Sequence, residues 1–370
     1  MQVRAVEIKK DYLLKNLTTF RVGGRAKYFA EVKRSQDLGK VLEFARNRNL
    51  PVLVFGGGSN MIIAERGFGG LVVRMVNRGI KIIKEDNKSV WLRLESGEVW
   101  DDVVKMAVGR GWWGIENLSH IPGSCGAVAV QNVGAYGQQV SDVMISVEVW
   151  HKKRERILEL SKKECRFGYR ESVFNKEMRG QMVIVGLTIK LNKQGKANLS
   201  YKDVGGYFAK KGIQEPNIKD IRQAIIEIRD KKYPFPLAAK GGSVGSFFKN
   251  QVMSREEFRK LIKRVKTVYG EKEAKKVENL TRVEAGSIKV PTAALLDICG
   301  IKNMKAKGVY VNPNQPLVLI NNGRATADDV MELFRAIRRE VYKKLGVILV
   351  NEPELVGFGN EEIEYYFDLH

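Results

Sequence analysis

Residues 52–61 read VLVFGGGSNM, an apolar run that leads directly into three consecutive glycines, Gly56, Gly57 and Gly58. Glycines lack side chains, so their backbone N–H groups can face an anion, and Ser59 and Asn60 add side-chain donors. A plain turn seldom needs three glycines, because each one costs backbone entropy on folding. We therefore predict a buried strand over 52–55 followed by a phosphate-binding turn, with a simple β-turn as the alternative interpretation.

The same stretch excludes two common nucleotide-binding motifs. A GxGxxG fingerprint that starts at Gly56 requires glycine at position 61, where this chain has Met61. A P-loop requires Gly-Lys-Ser or Gly-Lys-Thr, which does not follow. A nucleotide that binds here is therefore held by a different fold.

Length and cysteine content place the chain in a broad class. Its 370 residues predict two or three domains. Cys125, Cys165 and Cys299 form no CxxC pair, which indicates a reducing compartment. The three histidines form no zinc-binding pattern, so we expect no metal site. The N-terminus has no long apolar run, so we expect neither membrane insertion nor a signal peptide, and a cytoplasmic location.

The formal net charge of +22 is open to three interpretations. A nucleic-acid-binding protein gathers its charge into a patch with stacking aromatics, whereas here Lys and Arg are spread along the chain. The other two interpretations are a basic surface that aids solubility and a basic surface that attracts a small polyanionic ligand. We expect no nucleic-acid partner.

A second glycine-rich stretch covers residues 114–137, GIENLSHIPGSCGAVAVQNVGAYG. Its small residues predict a loop that wraps closely around a large flat ligand through its backbone. A structureless surface loop of this length is uncommon unless it is functional. The polar residues that can contact the ligand are Asn117, Ser119, Ser124, Gln131 and Asn132.

Three further motifs carry reactive groups. Residues 245–250, GSFFKN, present a hydroxyl, a cation and an amide around two aromatic rings that anchor the segment; an edge strand is the alternative. Arg170, in FGYRESVF, is a candidate anchored cation or a surface partner of Glu171 or Glu177. Residues 351–354, NEPE, are a catalytic pair of carboxylates or a solvated turn.

Hydrophobic periodicity and capping signals predict the regular elements. The predicted helices follow Ser35, begin at Asp101, cover 217–230, begin at Ser254 with Glu257 in a capping box, cover 291–299, and follow Thr326. Besides 52–55, the predicted strands cover 71–75, 81–83, 90–94, 147–150, 183–191, 317–320 and 347–350. Residues 361–370 remain unassigned.

Taken together and in this order, TTFRVGG, VFGGGSNMI, ENLSHIPGSCGA with QNVGAYG, YRESVF, GSFFKN and NEPE closely resemble the UDP-N-acetylenolpyruvoylglucosamine reductase family. The resemblance covers about residues 16–358. It implies an α+β chain with a two-part FAD-binding fold of the vanillyl-alcohol oxidase and para-cresol methylhydroxylase type, and a C-terminal α+β substrate-binding domain. We expect the boundaries at 1–70, to which 347–370 returns, then 71–215 and 216–346.

The resemblance also implies the reaction. NADPH reduces non-covalently bound FAD and leaves, and UDP-N-acetylglucosamine enolpyruvate takes its place. Hydride passes from flavin N5 to the enolpyruvyl methylene, and protonation gives UDP-N-acetylmuramate for peptidoglycan synthesis. We expect a monomer.

The family's residue roles carry over onto matching positions. Ser246 matches the proton donor, Arg170 the arginine that binds the carboxylate, and Glu354 the catalytic glutamate, whose protonation state the sequence leaves open. Tyr201, Lys232 and Asn250 match substrate-binding residues, Tyr201 within the inserted loop (198–240) of the longer subtype. The expected FAD-binding positions are Gly56, Gly57, Gly58, Ser59, Asn60, Asn117, Ser124, Gln131, Asn132, Gly134 and Ala135.

Three positions depart from the family pattern. Residues 294–297 match a Gly-Trp-Leu-Ile-Glu motif only loosely, Asn312 replaces a histidine, and Ala129 replaces a common proline. None of these positions is among the three expected catalytic residues.

Overall fold

The structure is a computed structural model that describes residues 6–232, 241–284 and 286–370. The end of the predicted inserted loop, from position 233 to 240, lies outside the described residues. The chain forms two compact units. The first comprises the N-terminal residues up to Tyr12, Ala26–Gly58 and Gly69–Asp230; the second comprises Leu13–Arg25, Ser59–Phe68 and Lys231–His370. The three-domain division expected from the sequence stays a prediction.

The strands of the described residues are, in chain order, β1 (Ile8–Leu13), β2 (Arg25–Val32), β3 (Val52–Phe55), β4 (Met61–Ile63), β5 (Phe68–Met75), β6 (Ile80–Glu85), β7 (Ser89–Glu95), β8 (Gly134–Ala135), β9 (Gln138–Gln139), β10 (Met144–His151), β11 (Arg156–Ser161), β12 (Met182–Asn192), β13 (Gln251–Met253), β14 (Arg282–Glu284), β15 (Ser287–Val290), β16 (Lys305–Ala306), β17 (Val309–Val311), β18 (Leu319–Asn321) and β19 (Glu354–Val356).

The α-helices of the same residues are α1 (Leu38–Arg46), α2 (Trp100–Gly109), α3 (Cys125–Val130), α4 (Val140–Val143), α5 (Lys202–Lys211), α6 (Ile218–Lys232), α7 (Arg255–Tyr269), α8 (Glu271–Leu280), α9 (Thr292–Ile298), α10 (Ala327–Leu345) and α11 (Asn360–Phe367).

The first unit contains a four-stranded sheet in the order β1-β2-β5-β3. Helix α1 buries Leu38, Val41 and Ala45 in the core that it shares with this sheet. Strand β3 runs parallel to β5, with Val52 opposite Leu71. The strand predicted over 52–55 is therefore present, although only Phe55 of its four residues is buried.

A five-stranded antiparallel sheet, ordered β11-β10-β12-β7-β6, forms the other half of the first unit. Alternate residues of β7, namely Val90, Leu92 and Leu94, are fully buried. They lie in the same core as Trp100, Val103 and Val104 of α2, as the two-residue period of a strand requires. Strand β11 was not predicted from the sequence.

Two predicted helix caps are wrong. Ser35 begins a 3-10 turn rather than α1, and its hydroxyl donates to Glu95 Oε2 at 3.3 Å. The N-cap of α2 is Val99, whereas the Asp101 carboxylate accepts two bonds from Arg222 at 2.7 and 2.8 Å. In both cases a charged residue distant in sequence is the partner of the predicted capping side chain.

The second unit is built around α10, whose buried face includes Val330, Leu333 and Ile337. Its N-terminus has the predicted cap Thr326, which forms a capping box with Asp329, and it ends at Gly346 in the left-handed conformation. Helix α7 begins with the predicted box of Ser254 and Glu257. These predictions succeed because a capping box depends on residues only three positions apart.

In the C-terminal part, one predicted strand is wrong, and the structure assigns a segment for which no prediction was made. Residues 346–350 form no strand; the strand lies later, in β19, which runs parallel to β4 with Glu354 opposite Met61. The tail left unassigned contains α11, whose Tyr366 is buried in the core of the second unit. Helix α8 was also not predicted.

Candidate active site

In the first unit, the glycine-rich turn 56–58 packs against residues 123–124. A Cβ atom at Gly57 would lie 2.8 Å from Gly123 Cα, and one at Gly56 would lie 2.0 Å from Ser124 Oγ. Side chains at these two positions are therefore excluded by the neighbouring loop. The two glycine-rich stretches, predicted separately from the sequence, are in direct contact.

Residues 114–137 are more ordered than the predicted loop. They contain a 3-10 turn at Glu116–Leu118, helix α3 and the short strand β8. The prediction of a long loop is thus wrong in detail, because small residues such as Gly126 and Ala129 are buried in a helix. Gly126 allows close packing, since a Cβ there would lie 2.9 Å from Ser96 Cβ.

Asn117 is fully buried at the centre of this stretch. Its Nδ2 donates to Tyr136 O at 2.7 Å and to Asn198 O at 3.0 Å, and its backbone N–H donates to Gln138 Oε1 at 2.8 Å. Among the described residues, its Oδ1 has no hydrogen-bond partner. A buried amide oxygen without a donor is costly, so this atom indicates a place for a ligand N–H or O–H group.

The side chain of Asn132 is engaged within the protein. Its Nδ2 donates to Gln139 Oε1 at 3.2 Å and to Gly168 O at 3.0 Å, and its Oδ1 accepts from Ser141 N at 3.0 Å. This amide therefore fixes the loop. The cofactor contact predicted for Asn132 stays a prediction, and these bonds leave its backbone as the group that would make it.

Arg170 is half-buried, and its Nη2 donates to Gly134 O at 2.9 Å. Glu171 forms an ion pair with Lys176 at 2.7 Å, and Glu177 forms one with Arg166 at 3.4 Å. Arg170 is thus bound to the backbone of β8, as an anchored cation would be. The two other predicted cofactor positions nearby, Gln131 and Ala135, are both half-buried.

Three residues of this region adopt left-handed backbone conformations, with φ values of 44° at Asn132, 49° at Tyr136 and 57° at Arg170. Such conformations cost non-glycine residues about 1–3 kcal/mol each, and they cluster at functional sites. Tyr136 also makes an edge contact with Tyr201, with ring centroids 5.3 Å apart. This contact brings the predicted substrate-binding Tyr201 to residues 114–137.

In the second unit, the segments that carry Ser246 and Glu354 pair through their backbones. Lys249 N donates to Val350 O at 2.9 Å, and Glu352 N donates to Phe247 O at 2.8 Å. On its other side, Phe247 N donates to Leu317 O at 2.7 Å. The fold therefore brings the proposed proton donor and the proposed catalytic glutamate onto adjacent extended segments. Ser246 is half-buried and Glu354 is exposed.

The two phenylalanines of GSFFKN anchor their segment. Phe247 and Phe248 are 0 and 1 % exposed, and the ring of Phe248 stacks on Phe334 of α10 with centroids 5.8 Å apart. The predicted anchoring role of the rings is confirmed. Ser246 thus extends from a backbone that is fixed on both sides.

Other predicted residues of the second unit hold neighbouring segments together. Asn60 Nδ2 donates to Glu352 O at 3.2 Å, and Glu354 N donates to Asn60 O at 3.0 Å. Asn250 Oδ1 accepts from Thr292 N at 3.1 Å. Lys232 O accepts from Nδ2 of Asn312, the residue that replaces the family's histidine, at 2.6 Å. Ser59 is half-buried.

Sequence reasoning missed the residues that order residues 114–137. Glu116 is 2 % exposed, and its carboxylate accepts from Gly114 N at 2.7 Å and from Gln138 Nε2 at 2.6 Å. Asn198 closes the same network by donating to Gly137 O at 3.0 Å. No local signal reveals these partners, because they come from separate turns of the chain.

Three observations concern other kinds of site. Cys125, Cys165 and Cys299 are buried free thiols. Within the part of the chain that the structure describes, no group of three or more His, Cys, Asp or Glu residues could hold a metal ion. Among the same residues, every helix is too short or too polar to cross a lipid bilayer.

Comparison with known families gives two matches on this chain. Residues 26–161 match the family described as FAD binding domain, and residues 235–356 match the family described as UDP-N-acetylenolpyruvoylglucosamine reductase, C-terminal domain. The two matched segments follow each other along the chain. They confirm the predicted α+β class with an FAD-binding part and a C-terminal domain.

Curated relatives are similar over nearly the whole chain. A UDP-N-acetylenolpyruvoylglucosamine reductase from Flavobacterium johnsoniae is 34% identical over 95% of this chain and 100% of its own length. A protein of the same name from Neisseria meningitidis is 36% identical over 90% of this chain and 93% of its own. The matches thus cover all or nearly all of the length of these two relatives.

A solved structure has the same fold. The UDP-N-acetylenolpyruvylglucosamine reductase of Thermus caldophilus superposes with a TM-score of 0.63. The alignment covers 95% of this chain and 98% of that protein, at 21% identity.

Proposed function

This chain belongs to the UDP-N-acetylenolpyruvoylglucosamine reductase family, and on that premise we propose that it reduces UDP-N-acetylglucosamine enolpyruvate with electrons from NADPH, using Ser246 as the proton donor. It is an FAD-dependent oxidoreductase of peptidoglycan precursor synthesis. The observation that carries the proposed residue roles is the backbone pairing of the Ser246 and Glu354 segments.

The residues of the first unit fit FAD. Side chains at Gly56 and Gly57 are excluded by residues 123–124, so the backbone of this turn lies directly against the second glycine-rich stretch. The buried Asn117 Oδ1 requires a hydrogen-bond donor, and FAD carries N–H and O–H groups. We propose that the cofactor is held by Gly56, Gly57, Gly58, Ser59, Asn60, Asn117, Ser124, Gln131, Asn132, Gly134 and Ala135.

We further propose that FAD binds without a covalent bond. Cys125, the cysteine of residues 114–137, is fully buried in helix α3, and burial raises the pKa of its thiol. A thiol that stays protonated is a poor nucleophile, because the thiolate is the reactive form.

When bound, FAD supplies a hydride from N5 to the terminal methylene of the enolpyruvyl group. The adjacent carbon then becomes carbanionic, in effect an enolate of the carboxylate. Because this carbon is strongly basic, the neutral hydroxyl of Ser246 is an adequate acid when it is held in place. The buried rings of Phe247 and Phe248 supply that rigidity.

Arg170 is proposed to bind the substrate carboxylate on which negative charge develops. Its planar guanidinium suits a carboxylate, and its bond to Gly134 O orients it before substrate arrives. Preorganised donors of this kind stabilise developing charge strongly, since they need no rearrangement during the reaction. Glu354 is proposed as the third catalytic residue.

The remaining assignments are also proposals that rest on membership of this family. Tyr201, Lys232 and Asn250 contact the nucleotide part of the substrate, and the positive charge of the chain attracts two polyanions, NADPH and the UDP-sugar. The enzyme acts as a cytoplasmic monomer. Its domains are 1–70 with 347–370, 71–215 and 216–346, and the pairing of β19 with β4 supports the return of the C-terminal segment.

An anaerobic half-reaction tests this proposal. Reduced holoenzyme mixed with UDP-N-acetylglucosamine enolpyruvate is expected to recover the yellow absorbance of oxidised flavin, because the substrate takes the hydride. UDP-N-acetylglucosamine, which lacks the enolpyruvyl group, is the control and leaves the flavin reduced. Flavin that stays reduced with both ligands contradicts the proposed substrate and favours another flavin enzyme of the same fold.

Replacing Arg170 by lysine is expected to slow flavin reoxidation by substrate about 10- to 100-fold, since lysine keeps the charge but loses the planar pair of donors. Flavin reduction by NADPH should change less than twofold. The control is Arg166→Lys: Arg166 also has a left-handed backbone, with φ of 46°, but it forms an exposed ion pair with Glu177. A wild-type rate in the Arg170 variant removes this residue from the proposed role.

A further inference from the structure

Arg338 is a buried arginine in the middle of α10, 4 % exposed. Its Nε donates to Leu349 O at 3.0 Å, and its Nη1 donates to Phe367 O at 2.8 Å. The guanidinium also lies over two rings, 5.2 Å from the centroid of Phe334 and 4.7 Å from that of Phe367. Among the described residues, no carboxylate forms an ion pair with it.

Burying the charged guanidinium of Arg338 costs folding free energy, so a role in stability alone does not readily explain its position. Burial lowers the pKa of Arg338, because it disfavours the charged form. A buried cation is costly unless it is fully hydrogen-bonded, and well-packed apolar side chains often replace buried charges without loss. The neighbouring Arg335 and Arg339 differ, since both pair with the half-exposed carboxylate of Asp368, at 3.5 and 2.7 Å. Arg338 is therefore a candidate for a role other than stabilising the fold through an ion pair.

The first carbonyl that Arg338 holds leads directly to the proposed catalytic segments. Val350, the residue after Leu349, accepts the bond from Lys249 N, and Asn351 forms a bridge with Phe248. Three residues later, Glu354 enters β19, where its N–H donates to Asn60 O at 3.0 Å. The position of Leu349 O therefore sets where the NEPE segment begins.

The second carbonyl belongs to the last residue of α11. This helix follows the segment that matches the family's C-terminal domain, which ends at residue 356. Tyr366 OH donates to Asp328 Oδ1 at 3.2 Å, and Glu362 pairs with Arg66 at 2.8 Å. Arg66 in turn donates to Gly357 O, one residue beyond β19. Helix α11 is thus joined both to α10 and to the end of the strand that carries Glu354.

We propose that Arg338 is a positioning residue for Glu354: by binding Leu349 O and Phe367 O together, it fixes both the entry to the NEPE segment and the helix that follows it. This inference rests on the proposed catalytic role of Glu354. Arg338 acts through the backbone and does not touch the substrate. The two bonds and two ring contacts explain why an arginine occupies this buried position.

The test measures both half-reactions of the holoenzyme in four forms: wild type, Arg338→Met, Glu354→Gln and the double variant. Arg338→Met is expected to slow flavin reoxidation by substrate about tenfold or more, because small displacements of a catalytic group cost up to about 100-fold. Flavin reduction by NADPH should change less than twofold in every form. In the Glu354→Gln background, Arg338→Met should add less than a twofold further loss, since the group it positions is already gone.

Two matched variants complete the design. Arg339→Met removes the adjacent arginine, whose hydrogen bonds among the described residues go to Asp368 and His370, and is expected to keep the wild-type rate. Arg338→Lys keeps the charge and can replace one of the two bonds, so its rate should lie between those of Arg338→Met and wild type. It also serves if the methionine variant does not fold.

The outcomes distinguish the proposed catalytic role of Glu354 from the proposed positioning role of Arg338. A wild-type reoxidation rate in Glu354→Gln overturns the proposed role of Glu354, and the positioning inference with it. If Glu354→Gln is slow and Arg338→Met multiplies that loss in the double variant, the role of Glu354 stands and the positioning inference is wrong. An equal loss in both half-reactions of Arg338→Met also overturns the inference, since that result indicates a general structural role.

Discussion

Replacing Ser246 by alanine is expected to slow flavin reoxidation by UDP-N-acetylglucosamine enolpyruvate by about 10²- to 10⁴-fold, the range in which a positioned acid contributes to catalysis. The substitution removes only the hydroxyl. The backbone on either side stays fixed by the bonds of Phe247 N to Leu317 O and of Glu352 N to Phe247 O. Flavin content and flavin reduction by NADPH should therefore remain within twofold of wild type.

Anaerobic rapid mixing measures the two half-reactions separately and so distinguishes lost chemistry from lost cofactor. The control is Ser254→Ala, which removes the cap of α7. That variant is expected to lose about 0.5–2 kcal/mol of stability with little change in either half-reaction. If Ser246→Ala reoxidises at the wild-type rate, another group donates the proton. If both half-reactions fall together, the substitution has disturbed the site rather than its acid.

The sequence predicted those features that depend on residues close together in the chain. The capping box of Ser254, the cap at Thr326 and the anchoring of Phe247 and Phe248 are local patterns that few other conformations satisfy. The predicted caps at Ser35 and Asp101 failed because Glu95 and Arg222, distant in sequence, are the partners of those side chains. A local pattern cannot reveal a partner contributed by another element.

The candidate site likewise has features that a local sequence pattern reveals and features that depend on partners distant in sequence. Its motifs could be located from the sequence, because triple glycines and GSFFKN are unusual there. The contact between Gly57 and Gly123, the unpartnered oxygen of Asn117 and the internal bonds of the Asn132 amide could not. Each of these depends on two separate turns that meet only after the chain has folded. The NEPE motif was found, but its strand was placed too early, at 347–350 instead of at β19.

Replacing Gly57 by alanine is expected to weaken FAD binding, because the new methyl group would press the glycine-rich turn against residue 123. The new Cβ would lie 2.8 Å from Gly123 Cα, a backbone atom that cannot rotate away. Overpacking of this kind costs about 1–3 kcal/mol. If the free protein relieves this overpacking by moving the two loops apart, FAD binding must bring them together again. The overpacking energy is then lost from the binding free energy, and FAD binds roughly 5- to 150-fold more weakly.

The measurement is the dissociation constant of FAD for the apoprotein, followed by quenching of flavin fluorescence. Gly69→Ala is the matched control: Gly69 lies exposed in β5, and no atom approaches within 4 Å of the Cβ it would gain. That variant should bind FAD as the wild type does. Tight binding by Gly57→Ala means that the two loops separate without affecting the cofactor, which would exclude the 56–58 turn from the FAD site. If both variants bind FAD weakly, any added methyl group disturbs this unit. The close approach of the two loops is then not the reason for weaker FAD binding by Gly57→Ala.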